Sequence, residues 1–192
     1  MKTMTTIFAL FCFLLMPMAA ATAAADDVAA AVNVFRSSPQ VQPFFKDAYG
    51  YAVFPTVGKA AFIVGGAYGE GKVYRGGKLT GTAKLMHASI GWQLGGKAYS
   101  EIVFFQDKRA YETFTSGEFA FDAQAEAVAV TAGAQAKAST AGASASATAG
   151  PKTGAQAQTK YKNGMATFVH HKGGLMGALA LGGQKFSYQP LQ

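Results

Sequence analysis

At 192 residues, half of them hydrophobic and only 14% charged, the chain is sized for one domain and can bury a core, which excludes a disordered polyelectrolyte. Seventeen Lys and Arg against ten Asp and Glu give a formal charge of +7. Twenty-three glycines with 12% aromatic residues favour twisted antiparallel sheet over a helical bundle and argue against a helix-rich enzyme.

Lys2 precedes an apolar run from Ile7 to Leu15, and Ala23-Ala24-Ala25 before Asp26 is the best of several small-residue cleavage sites. Residues 1–25 therefore read as a secretory signal peptide, since the run is far shorter than the roughly 20 residues a membrane span needs. Cys12 is the only cysteine, and Phe11 before it is too bulky for lipoprotein processing. The mature chain, residues 26–192, is expected to carry no disulfide, no thiolate metal site and no cysteine nucleophile. Its expected location is periplasmic or secreted, peripheral to a membrane.

Asp26 and Asp27 open a short amphipathic helix in which Val28, Val32 and Phe35 share a face and Pro39 is the stop. A second short turn spans Val41 to Asp47. From Tyr49 the pattern turns to strand. Lys59 to Tyr68 is an apolar run, Lys72 to Arg75 follows, and Gly76-Gly77 reads as a two-residue hairpin turn into Lys78–Leu85. Ser89–Leu94 and Ala98–Gln106 continue the meander. In the latter, Tyr99, Glu101, Val103 and Phe105 point to one face and Ser100, Ile102 and Phe104 to the other, which makes it a central strand. Asp107 caps a helix through Phe114 that ends at Gly117 and buries Ala110, Tyr111 and Phe114. Glu126 to Ala138 alternates again. Residues 139–158 are almost wholly Ala, Ser, Thr, Gly and Gln, and read equally as a flexible loop or a small-residue hairpin arm. Lys160–Lys172, Leu175–Leu181 and Lys185–Tyr188 close the series and return Phe168, Leu175, Leu179 and Phe186 to the core. The predicted fold class is α+β, mainly antiparallel β: a single domain with a twisted or barrel-like sheet, short N-terminal helices and one mid-chain helix.

Catalytic patterns are absent or incomplete. Gly66 to Lys72 and Gly91 to Lys97 approach the phosphate-loop pattern but lack its hydroxyl residue and a following helix. His170 and His171 are adjacent, so on a strand they face opposite sides and cannot share a metal. No H-E-x-x-H or G-x-S-x-G occurs. Glu101 is the carboxylate of most interest because it lies in an apolar strand, where a Glu–Lys or Glu–backbone pairing is expected rather than catalysis. No cofactor is implied, and the chain reads as a non-enzyme.

Charge is more informative. Residues 26–126 hold ten basic and ten acidic groups, while residues 127–192 hold six lysines and no acid. Among those, Lys160, Lys162, Lys172 and Lys185 lie near Tyr161, Phe168, Phe186 and Tyr188. Each lysine near an anionic membrane surface contributes ~1 kcal/mol. A solvated basic edge that discourages sheet aggregation is an equal reading of the same charge. Nucleic acid is the wrong polymer for an exported chain.

The run Tyr49-Gly50-Tyr51-Ala52-Val53-Phe54-Pro55-Thr56-Val57-Gly58-Lys59, followed by Gly65-Gly66-Ala67-Tyr68-Gly69-Glu70-Gly71, resembles the opening signature of the SYLF lipid-binding domain family. Ser89–Gly96 and Lys172–Gly183 are similar to its later blocks, so the likeness runs from about residue 27 to 188. The resemblance implies one globular, mainly antiparallel domain that binds lipids. Lys59 matches the family lysine, and Gly65, Gly66, Gly69 and Gly71 match its glycines, which read as structural. Glu101 falls where the family tends to have an acid. The resemblance covers no adjacent SH3-like or zinc domain, so actin binding is not expected, and an exported chain is expected to meet acidic envelope lipids rather than phosphoinositides. The expected function is thus attachment to anionic phospholipid through the basic residues of the last third, with Lys59, Lys72, Arg75 and Lys78 as further candidates. The alternative is an envelope structural or protein-interaction module that uses the Ala/Ser-rich arm. An outer-membrane barrel is disfavoured, because the strands lack a lipid-facing apolar alternation.

Overall fold

In the computed structural model, which describes residues 17–59, 66–88, 98–121, 126–130, 160–172, 179–180 and 183–191, the chain opens with helix α1, Pro17–Arg36. Alanine, the strongest helix former, fills its first half, so the helix begins well ahead of Asp26 and is not the short element expected. Val28, Ala31 and Phe35 are buried on one face, and Val32 packs partly buried beside them. The end is tied by the Ser37 amide donating to Asn33 O at 3.0 Å and its hydroxyl donating to Val34 O at 2.7 Å. Helix α2, Gln42–Asp47, follows with a proline in its first turn, where a missing N–H leaves no carbonyl unpaired.

Nine strands then form one sheet in the order β5-β9-β3-β2-β1-β4-β7-β6-β8. They are β1 Gly50–Lys59, β2 Gly66–Arg75, β3 Lys78–Ala88, β4 Tyr99–Phe105, β5 Glu118–Ala120, β6 Glu126–Ala129, β7 Met165–His171, β8 Leu179–Ala180 and β9 Gln184–Pro190. Every pairing is antiparallel except that of β6 with β7. The turn between β2 and β3 is the expected Gly76-Gly77, with φ of 55° and 77°, the double positive-φ geometry whose twist matches a hairpin. Strand β1 carries a register shift between Val53 and Thr56. Pro55 occupies this irregularity, where its missing N–H is tolerated, and its carbonyl accepts from Ser100 Oγ at 2.7 Å.

Several boundaries differ from the sequence reading. The run Lys59–Tyr68 is not one strand: β1 ends at Lys59, opposite Ala67 of β2, so the chain reverses within it. The stretch Lys160–Lys172 is likewise broken, because Lys162 and Met165 exchange backbone hydrogen bonds of 2.9 and 3.0 Å. Asn163 and Gly164 between them have φ of 52° and 81°, a tight turn ahead of β7. Of the alternating stretch Glu126–Ala138, β6 takes Glu126–Ala129, and residues 131–138 lie outside the described residues. β5 was not foreseen, since three residues carry no period. Ser89–Leu94, residues 139–158 and most of Leu175–Leu181 lie outside the described residues. The mid-chain helix is as expected. This helix, α3, spans Lys108–Thr115, and Asp107 Oδ1 accepts from the Ala110 amide at 2.8 Å.

All seven residues of β4 are buried, because both faces of the sheet are covered. The inner face carries Ala52, Phe54, Val73, Leu85, Val103 and Phe105, and α3 closes over it with Ala110, Tyr111 and Phe114. The outer face carries Val53, Ile102, Phe104 and Phe168 against α1 and α2. There Phe44 meets Phe168 at 4.9 Å and 67°, and Phe45 meets Phe104 at 4.9 Å and 87°. Each such pair adds about 0.5–1.5 kcal/mol beyond area burial. Gly71 allows the inner curl: a Cβ there would lie 2.5 Å from Phe54 Cδ1 and 2.6 Å from Val53 O. The sheet is curled into a half-barrel. Gln184 of β9 reaches Glu101 of β4 at 3.0 Å, although the two strands are four places apart in the sheet.

Candidate functional site

Strand register sorts the eight expected cations. Gly50 lies opposite Arg75 and Phe105, Phe105 lies opposite Met165, and Arg75 lies opposite Lys78. Arg75, Lys78, Lys160 and Lys162 therefore sit at one end of the sheet. Arg75 there lays its guanidinium 5.6 Å from the Tyr111 ring centre, a cation–π contact. At the other end are Lys59, which closes β1 opposite Ala67, Lys172 and Lys185. Lys172 donates from Nζ to Thr56 Oγ1 at 2.7 Å. Lys72 is mid-sheet on the outer face, between Val53 of β1 and Thr82 of β3. The four described lysines of the last third, Lys160, Lys162, Lys172 and Lys185, are thus divided between the two ends rather than gathered in one patch.

A denser arrangement emerges on the outer face of β2, β3 and β9. Alternation puts Leu85 and His87 inside, so Lys84 and Met86 face outward. Met86 lies opposite Lys185 on β9 and opposite Tyr68 on β2, while Lys84 lies opposite Glu70. Met86 is 45% exposed, a large apolar side chain set between two lysines. Neither Lys72, Lys84 nor Lys185 forms an ion pair with another described residue. Among the described residues the ion pairs are Lys108–Glu112 at 3.4 Å and Arg109–Asp107 at 3.9 Å, both at α3. Beside this patch, α1 and β1–β3 enclose a groove of about 340 Å³ that reaches Lys72 and Lys84. Lys84 and Met86 escaped the sequence reading. The signal was the run Ala83-Lys84-Leu85-Met86, whose alternation separates two faces without telling which one meets solvent.

Inside the half-barrel, Glu101 is completely buried. Its partner is neither a lysine nor the backbone, as expected, but the Gln184 side chain. Gln184 Nε2 donates to Glu101 Oε2 at 3.0 Å and reaches the Tyr99 hydroxyl at 3.3 Å. The inner neighbours that register gives Glu101, Phe54 and Val169 opposite it and Tyr99 and Val103 along its own strand, include no lysine. Burial pushes the Glu101 carboxyl up to about 8, against the opposing pull of the Gln184 hydrogen bond, so it is mainly neutral at pH 7. Burial also raises Tyr99, with the nearby Glu101 charge adding to it. His171 lies opposite Tyr99 and is lowered by burial and by His170. Glu101 Oε1, Gln184 Oε1 and His171 Nε2 are buried with no hydrogen-bond partner among the described residues.

His170 turns to the outer face, with Nδ1 3.2 Å from Val130 O. His170 and His171 therefore do point apart. Among the described residues no three His, Cys, Asp or Glu could hold a metal ion together. Gly66 to Lys72 lies within extended β2, without the loop and helix that cradle phosphate. No described helix is long and apolar enough to cross a membrane.

No family model matches the chain. It is similar to beta cell expansion factor A of Aeromonas veronii, with 28% identity over 159 residues that cover 82% of this chain and 52% of that protein. The chain thus spans about half the length of the curated relative it matches.

Proposed function

We propose that this chain is an exported, non-enzymatic module of the SYLF lipid-binding type. It attaches to anionic membrane lipid through the outer face of β2, β3 and β9. The observation that carries the reading is Met86, 45% exposed, held between Lys84 and Lys185. An apolar side chain flanked by two ammonium groups, neither paired with a described carboxylate, suits the boundary of an anionic bilayer, where the lysines meet headgroups and the thioether enters the acyl border. Lys72, Lys84 and Lys185 together contribute about 3 kcal/mol near such a surface at low salt. Met86 adds an apolar share that salt does not screen.

Co-sedimentation with phosphatidylcholine vesicles, with and without phosphatidylglycerol, tests this at low and high salt. Binding is expected to require the anionic lipid and to fade with salt. Lys84→Glu with Lys185→Glu is expected to weaken it at least tenfold at low salt. If that pair leaves binding unchanged while Lys160→Glu with Lys162→Glu abolishes it, the contact surface is the opposite end of the sheet.

A further inference from the structure

The groove beside the basic patch has a charge pattern that attachment to anionic lipid alone leaves unexplained. Its lining includes Asp27 from α1, Thr56 from β1, Glu70 and Lys72 from β2, and Thr82 and Lys84 from β3. Register sets four of these at the corners of a square. Glu70 lies opposite Lys84 and Lys72 opposite Thr82, with Glu70 and Lys72 two residues apart on one face of β2. The two lysines therefore occupy diagonal corners.

Neighbouring charges of opposite sign usually neutralise each other across strands. Here neither Lys72 nor Lys84 is within ion-pair distance of a described carboxylate. Glu70 instead accepts a hydrogen bond from the Tyr68 hydroxyl, 2.6 Å to Oε1, which fixes the carboxylate on the outer face. Lys172, which is not itself a lining residue, holds a third ammonium 2.7 Å from Oγ1 of the lining residue Thr56. A purely anionic ligand would be opposed by Glu70 and Asp27. A purely cationic one would be opposed by three lysines.

A ligand that carries both charges a short distance apart satisfies both sets. We propose that this groove binds a phosphoethanolamine group, the phosphate on Lys72, Lys84 and the Thr82 hydroxyl, the primary ammonium on Glu70 and Asp27. The ammonium matters as a hydrogen-bond donor, because its three N–H groups meet carboxylate oxygens directly. A quaternary choline head has no N–H to donate and is usually held by an aromatic cage, and among the described residues the groove lining contains no aromatic ring. The groove therefore selects ethanolamine over choline. The assignment rests on the membrane-surface reading for its source of ligand, since the groove opens on the face that carries Met86.

Vesicles of phosphatidylcholine alone and of phosphatidylcholine with phosphatidylethanolamine have the same zero net charge, so a comparison between them isolates the headgroup. With the protein as matured by the producing cell, the mixed vesicles are expected to sediment it several-fold better. Glu70→Gln is expected to remove that advantage while leaving binding to phosphatidylglycerol vesicles unchanged or stronger. Equal sedimentation with the two neutral vesicles, or an ethanolamine preference untouched by Glu70→Gln, overturns the proposal. The phosphatidylglycerol arm reports separately on the anionic-surface reading, so either can fail alone. Soluble glycerophosphoethanolamine is the competing probe. Release of the protein by it, and not by glycerophosphocholine, assigns the groove to the free group as well as the lipid. No release, with the Glu70-dependent preference intact, assigns it to the bilayer-borne headgroup.

Discussion

Glu101 shows how one buried carboxyl couples acidity to folding. Its folded value of about 8 stands above the ordinary carboxylate value near 4.3. Between those limits the folded chain holds a proton that the unfolded chain has released, so this group's contribution is full below the lower value and is lost as pH rises through the upper one. The slope is at most about 1.4 kcal/mol per pH unit for one proton. His171 acts in the opposite sense, because its lowered value removes stability as the solution becomes acidic. Glu101→Gln keeps the shape and abolishes the titration. Thermal melts between pH 5 and pH 8 are therefore expected to show the variant gaining on the parent as pH rises, and parallel curves would refute the buried titration. The sequence made this residue conspicuous, since a carboxylate stood amid apolar strand positions. Its partner was hidden because Gln184 lies 83 residues away and arrives only when the sheet curls.

Elements whose signals are local were the most legible. Asp107, the stripe Ala110, Tyr111 and Phe114, and the end at Gly117 specify α3 within a dozen residues, and the helix forms as its cap requires. Asp107→Ala removes the acceptor for the Ala110 amide and is expected to cost about 1 kcal/mol, seen as a lower midpoint in urea. Asp107→Asn should retain most of it. Gly76-Gly77 was legible for the same reason. The Asn163-Gly164 turn has an equally local signature, although the stretch Lys160–Lys172 reads as one strand across it. α1 was misjudged in length because alanine supports helix without contributing an amphipathic stripe, and the reading depended on the stripe. β5 is held by its partner: Phe119 faces Phe186 of β9, and its own three residues specify little.

At the scale of the whole molecule, composition forecast the antiparallel class correctly, but sequence position was a poor guide to where charge lies. Acid-free residues 127–192 suggested a single basic surface, and the topology distributes the four described lysines among them to both ends. Strand β9 delivers Lys185 to the side of Met86, a neighbour about 100 positions earlier in the chain. Such pairings depend on strand order, which periodicity does not encode. The candidate site is therefore partly legible: Lys72 and Lys185 were identified by charge, whereas Lys84 and Met86 needed the register. The double substitution at Lys84 and Lys185 is the test at this scale, because it alters one face and leaves the charge at the far end intact.

Strand β4 belongs to both layers at once. Ile102 and Phe104 anchor the face under α1 and α2, while Tyr99, Val103 and Phe105 anchor the face under α3. Neither layer can come apart without exposing a side of the same strand, so the two melt as one cooperative unit. Amide exchange should accordingly be slowest along β4, approaching the rate set by global unfolding. The short strands β5 and β8, with one neighbour each, should exchange through local opening.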